Sequence, residues 1–130
     1  MISQAQHDSL RAKYSPDGSP LRRQQERMLE ILCEIDRICK KHGIRYWLSS
    51  GTLIGAVRHG GFIPWDDDLD IEMMREDYDR LMDVLPGELP STMALQTHET
   101  DHTYFFYYAK VRDRRSILSE GNNYDRMWKE

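Results

Sequence analysis

The chain has 130 residues, 39% hydrophobic and 31% charged, which suits one compact domain and leaves little room for two. Its formal net charge of −4 excludes a general basic field for nucleic acid, so no nucleic-acid partner is expected. No apolar run approaches the ~20 residues that span a bilayer, and the N-terminus has no signal-peptide core. Cys33 and Cys39 lie at a spacing that does not pair within a helix, so the expected compartment is the reducing cytoplasm, with no transmembrane segment.

Residues 1–19 are polar and end in the turn-rich "SPDGSP", read as an irregular arm. From Pro20, Leu21, Met28, Ile31, Leu32, Ile35, Ile38 and Cys39 recur at helical intervals. Ser19 is placed to cap this helix, Pro20 suits its first turn, and Gly43 after Lys40, Lys41 and His42 stops it. "IRYWL" then reads as a strand over 44–48, followed by a turn at Ser49-Ser50-Gly51 and a short helix over 52–59, closed by Gly60-Gly61. "LDIEM" reads as a second strand. "REDYDRLMDVL" reads as a second amphipathic helix, stopped by Pro86-Gly87. "TMALQT" and "YFFYYAKVR" read as further strands about the turn "HETDH", with "RRSIL" as a short addition. This order predicts an α/β (α+β) domain with a mixed sheet flanked by helices, over residues 20–130.

"GGFIPWDDDLDIEM" carries the chemistry, with Asp66, Asp67, Asp68 and Asp70 within five positions. On a strand, Asp68 and Asp70 would share one face about 7 Å apart, and Asp66 could join them across the turn. Carboxylates converging on one edge suit a hard divalent cation; without one, their mutual repulsion is unfavourable. An Asp-x-Asp on a strand is what phosphoryl or nucleotidyl transfer requires, the metal joining protein to phosphate. A solvated acidic turn has the same composition. An EF-hand does not fit, because Ile71 and Asp77 stand where that loop wants Gly and Glu.

Upstream, "SSGTLIGAVRHGG" offers backbone N–H groups and hydroxyls at a helix start, a phosphate cradle that is neither a Walker loop nor Gly-x-Gly-x-x-Gly. Gly55, inside the helix, indicates a close backbone approach. Arg58 and His59 could reach a phosphate or complement the helix dipole.

The uninterrupted stretch "SGTLIGAVRHGGFIPWDDDLDIEM" resembles the signature of the LicD family of lipopolysaccharide and teichoic-acid choline phosphotransferases, related to the fukutin-type ribitol-phosphate transferases and to the nucleotidyltransferase fold. "HGIRYWL", "REDYDRL" and "YYAKVRD" agree more loosely, so the resemblance spans about residues 22–118. It implies Mg²⁺-dependent transfer (Mn²⁺ being the alternative ion) of phosphocholine or a related phospho-alcohol from a CDP-choline-like donor to a glycan acceptor. The compartment expected is the cytoplasm or the inner face of the membrane. By the same resemblance Asp68 and Asp70 hold the metal with Asp66 assisting, and Ser50, Gly51 and Thr52 cradle the donor phosphates. Lys110 and Arg112, alternating on one strand face, would offer positive charge to a phosphate, a solvated strand edge being the equal alternative. Arg58 is the further substrate-binding candidate, from the short helix. Tyr46 and Trp47 are read as core, with stacking on a base or choline as the alternative.

One departure stands out: the family's third carboxylate is expected on a later strand that this chain lacks, and Asp113 is not at its position. The expectation is therefore an N-terminal portion of a longer enzyme, or a truncated product, inactive alone and able to self-associate through an open sheet edge. Two competing readings are a small nucleotidyltransferase acting on protein or RNA, and a catalytically inert metal-binding module.

Overall fold

The computed structural model describes residues 1–120 and 123–124. Two compact units divide the chain, Met1–Leu81 and Met82–Glu130. The element order is α1 (Gln4–Tyr14), α2 (Pro20–His42), β1 (Trp47–Leu48), α3 (Ser50–His59), β2 (Ile71–Glu72), α4 (Arg75–Glu88), β3 (Met93–Gln96), β4 (Lys110–Asp113), β5 (Ser119–Glu120) and β6 (Asn123–Tyr124). The class is mixed α/β, as expected. In place of one mixed sheet, the described strands form three antiparallel ladders: β1 with β2, β3 with β4 and β5 with β6. No helix among the described residues is long and apolar enough to cross a membrane.

In the first unit α2 follows its sequence signals. The Ser19 hydroxyl accepts from the Arg22 N–H at 3.2 Å, and Gly43 adopts a left-handed φ of 65°, a conformation that costs glycine nothing. Ile35, Ile38 and Cys39 on its inner stripe are buried, as is Ile44 just beyond. The expected irregular arm is corrected: residues 4–14 form α1. Too few apolar residues mark it as amphipathic, but its start carries a capping box. The Ser3 hydroxyl accepts from the Gln6 N–H at 3.2 Å, and the Gln6 side chain accepts from the Ser3 N–H at 2.9 Å. The Tyr14 ring meets Trp65 edge-on at 5.3 Å.

The strand expected over 44–48 shrinks to Trp47–Leu48, paired Trp47↔Glu72 and Leu48↔Ile71. The strand expected over 69–73 shrinks to Ile71–Glu72. In the second unit Pro86 lies inside α4 rather than ending it. It falls so near the end that the helix loses a single bond, and the next turn keeps Leu89 N–H on Leu85 O at 2.9 Å. Leu85, Met93 and Leu95 are buried. "YFFYYAKVR" is a strand only from Lys110, because β3 ends at Gln96 and its register pairs Gln96 with Lys110. Residues 104–109 therefore have no strand to ladder with, and their backbone turns so that the Tyr104 hydroxyl donates to Tyr108 O at 2.6 Å. "RRSIL" contributes no strand. The tail residues 121–122 and 125–130 lie outside the described residues.

Candidate functional site

The site is built where α3 begins. Its N-cap residue Ser49 is extended and makes no side-chain cap bond, because its hydroxyl donates to Glu72 Oε1 at 2.7 Å instead. The first helical bond is Leu53 N–H to Ser49 O at 3.1 Å, which leaves the opening amides of the helix, on Ser50, Gly51 and Thr52, as the partly positive end of its dipole. Ser50 adopts φ 50°, a left-handed conformation that costs a non-glycine residue about 1–2 kcal/mol. That strain sits at the helix start, between the β1–β2 ladder and the first turn.

The aspartate segment packs against this turn. A Cβ on Gly51 would come within 2.6 Å of Asp66 Oδ2, so the missing side chain is what lets the Asp66 carboxylate lie on the first turn of α3. One turn on, a Cβ on Gly55 would meet the carbonyl oxygen of Gly61 and, at 2.8 Å, the Ile63 nitrogen. The close backbone approach expected at Gly55 is present, made by a loop rather than by a strand.

Residues 66–70 are not a strand, which corrects the alternation argument. Their backbone groups find partners elsewhere. Asp66 N–H donates to Ile63 O at 2.9 Å and Asp70 O accepts from Ser49 N–H at 3.0 Å. Asp70 N–H donates to the Thr52 hydroxyl at 2.9 Å. Two α2 side chains clasp the rest: Gln24 Nε2 donates to Asp67 O and Gln25 Nε2 to Asp66 O, each at 2.9 Å. Gln25 is 1% exposed. Without a strand to impose period two, consecutive aspartates gather. Ligand oxygens of Asp66, Asp67 and Asp68 all lie within 4.8 Å of one another. Asp67 joins the group and Asp70 is not part of it; Asp70 serves through its backbone, continuing the β1–β2 ladder toward α3. The donor set is three carboxylates, hard oxygen ligands that suit Mg²⁺ or Mn²⁺ and not a thiolate-seeking metal.

Arg58 and His59 lie at the far end of α3 from this cluster. Arg58 is exposed in the last turn of α3, about 10 Å along the axis from Gly51 by helical rise, where it complements the C-terminal carbonyls. His59 Nδ1 lies 3.1 Å from His7 Nδ1 on α1. Burial, then the charges of His7 and Arg58, holds the His59 pKa below its ordinary value.

Tyr46 and Trp47, read as core, line an open recess with Met74, Asp36 and Asp77. The Tyr46 hydroxyl donates to Asp36 at 2.9 Å, and burial followed by that bond pushes Tyr46 up to about 12. Trp47 is 45% exposed, so only Tyr46 is anchored as core. Lys110 belongs to the second unit, where its ammonium lies 4.7 Å from the centre of the Phe106 ring. Arg112 Nε donates to Gln96 Oε1 at 2.9 Å. Reasoning from the sequence missed Gln24, Gln25 and Glu72; an adjacent glutamine pair interrupting an apolar stripe was the one signal available.

A mixed α/β chain with a carboxylate cluster against a helix start belongs to a recognisable class. The chain is a member of the LicD/FKTN/FKRP nucleotidyltransferase-domain family, whose sequence profile matches residues 43–124. It is 47% identical over 101 residues to the lipopolysaccharide cholinephosphotransferase LicD of Haemophilus influenzae, covering 77% of this chain and 38% of that protein. It is 57% identical over 35 residues to the human ribitol 5-phosphate transferase FKRP, covering 27% of this chain and 7% of that one. An uncharacterized Rickettsia prowazekii protein, RP689, is 48% identical over 59 residues, 45% of this chain and 22% of that protein. The chain thus spans well under half the length of these relatives. No solved structure matches it.

Proposed function

We propose that this chain carries the metal- and donor-binding part of a phosphotransferase. The reaction moves phosphocholine, or a related phospho-alcohol, from a CDP-linked donor to a hydroxyl of a cell-surface glycan. The observation that carries the reading is the gathering of Asp66, Asp67 and Asp68 against the first turn of α3 at Gly51. The Haemophilus relative is a cholinephosphotransferase and the human one a ribitol 5-phosphate transferase, which supports transfer of a phospho-alcohol.

In this reading Asp66 and Asp68 hold Mg²⁺, Asp67 joins them, and Asp70 orders the segment through its backbone. When bound, the ion neutralises charge on the donor phosphates as the bond to phosphorus shifts. The amides of Ser50, Gly51 and Thr52 receive a phosphate oxygen at the positive end of α3. Thr52 also keeps the two halves of the site in register through Asp70. Cytoplasmic donor chemistry and a lipopolysaccharide or teichoic-acid acceptor complete the proposal.

Isothermal titration with MgCl₂ tests it. The unmodified chain is expected to bind Mg²⁺, and Asp66→Asn with Asp68→Asn to lose that binding while keeping its circular dichroism spectrum. CDP-choline with Mg²⁺ is expected to raise the unfolding temperature of the unmodified chain and not of the double variant. Equal Mg²⁺ binding by both proteins would overturn the metal assignment.

A further inference from the structure

The first unit has a recess that the metal and phosphate assignments leave unused. It holds about 540 Å³, within the ~300–1,000 Å³ of small-ligand pockets. Its lining runs from the buried Cys39 and Ile44 to the exposed Trp47 and Met74. Two carboxylates also line it, and their surroundings differ. Asp36 is closely held, accepting from the Tyr46 hydroxyl at 2.9 Å and lying 2.6 Å from Lys40 Nζ. Asp77 is 8% exposed, yet its cationic neighbours stand back, Arg80 Nη1 at 3.5 Å and Arg45 Nε at 4.0 Å. A close N–H to carboxylate contact measures ~2.7–2.9 Å. The recess thus contains a buried negative charge that is compensated only at a distance, beside an indole whose ring is half open to solvent.

The β1–β2 ladder joins this recess to the start of α3. Trp47 and Glu72 are register partners, and Trp47 Nε1 lies 3.4 Å from Glu72 Oε2. The Ser49 hydroxyl, two residues on, donates to the other oxygen of Glu72. Trp47 and Ser49 therefore share one face of the ladder, ~7 Å apart along the extended chain.

We propose that this recess seats the quaternary ammonium of a phosphocholine donor, with the Trp47 ring as its aromatic face and Asp77 as its counter-charge. A quaternary ammonium has no N–H to donate, so it needs a ring face and a negative charge nearby rather than a close hydrogen bond. Its methyl groups suit the indole and the Met74 thioether. In phosphocholine one oxygen and two carbons join the phosphorus to the nitrogen, so the two charged ends must be held at neighbouring places. A polyol head group has neither the charge nor the methyl groups to match this lining. The recess deepens the transferase reading, on which its biological use rests, by selecting choline among the phospho-alcohols; seating the cation does not require the metal.

Titration of the full chain with choline chloride, without metal or nucleotide, tests the recess. The control is neopentylcarbinol, the uncharged isostere with carbon in place of nitrogen. The unmodified chain is expected to bind choline about fivefold more tightly than the alcohol, the equivalent of one cation–π contact. Trp47→Phe should keep the preference and Trp47→Leu should lose it; the exposed position of this ring leaves the core undisturbed by either change. Asp77→Asn, with its circular dichroism spectrum checked, should weaken choline binding and leave that of the alcohol unchanged. The proposal is overturned by no choline affinity, by equal affinity for choline and the alcohol, or by an undiminished preference in Trp47→Leu or Asp77→Asn. Mg²⁺ uptake with no choline affinity would remove the recess alone. Choline binding in a chain that takes up no Mg²⁺ would remove the transferase reading and leave the recess.

Discussion

Gly51 and Gly55 lie one turn apart on the same face of α3, and both are pressed by the 61–66 loop, but against different atoms. At Gly55 the obstacle is backbone, which cannot swing aside. Gly55→Ala is therefore expected to destabilise the chain by about 1–3 kcal/mol, the usual cost of overpacking, read as a lower denaturation midpoint. At Gly51 the obstacle is the Asp66 carboxylate, which can rotate away. Gly51→Ala is expected to cost less stability and more Mg²⁺ affinity, so the two substitutions should separate folding from binding. The cysteines separate in the same way. Cys39 is buried and Cys33 exposed, and burial, with smaller contributions from Asp36 and Asp77, pushes the Cys39 thiol up to about 11. Iodoacetamide at pH 8 should label Cys33 in the native chain and leave Cys39 unmodified, as peptide mass spectrometry would show.

Two helices act on the site without contributing a ligand. α2 presents Gln25, whose amide donates to Asp66 O at 2.9 Å and reaches Ile63 O and Pro64 O at 3.4 Å. Gln25→Leu keeps the volume and leaves these carbonyls without their donor. It should cost about 1–3 kcal/mol and weaken Mg²⁺ binding, although no carboxylate has been touched. α1 has no buried residue and rests on ring contacts, among them the His7–His59 pair. One ring nitrogen must donate and the other accept, so protonating both rings breaks the bond. Burial in the folded state holds the His59 pKa below its ordinary value. The unfolded chain therefore binds the proton first, and stability falls as pH drops through about 6.5. Urea midpoints between pH 8 and pH 5 should show this slope, and His59→Gln should flatten it. Of these elements, α2 was legible to within its caps because its stripe, cap and stop are all local signals. α1 was not: it has a cap but no stripe, and its partners lie on α3 and Trp65.

At the scale of the molecule, each ladder among the described residues has two strands. The second unit also shows water Phe105 at 67%, Tyr107 at 93% and Ile117 at 80% exposure. Short two-stranded ladders and exposed apolar side chains favour association, so size-exclusion chromatography is expected to give an elution volume that falls with concentration. A concentration-independent monomer would count against it. By itself the sequence determined the helical stripes, the α/β class, the family, the acidic cluster and the tight glycine at position 55. All of these are written in neighbouring residues or in one uninterrupted stretch. Only the tertiary structure decided that Asp67 and not Asp70 completes the carboxylate group, that Gln25 holds Asp66 from 41 residues away, and that Lys110 faces rings. Those outcomes depend on which backbone groups found partners across the fold, and where side-chain amides replaced a strand partner the two-residue period, and every inference drawn from it, no longer applied.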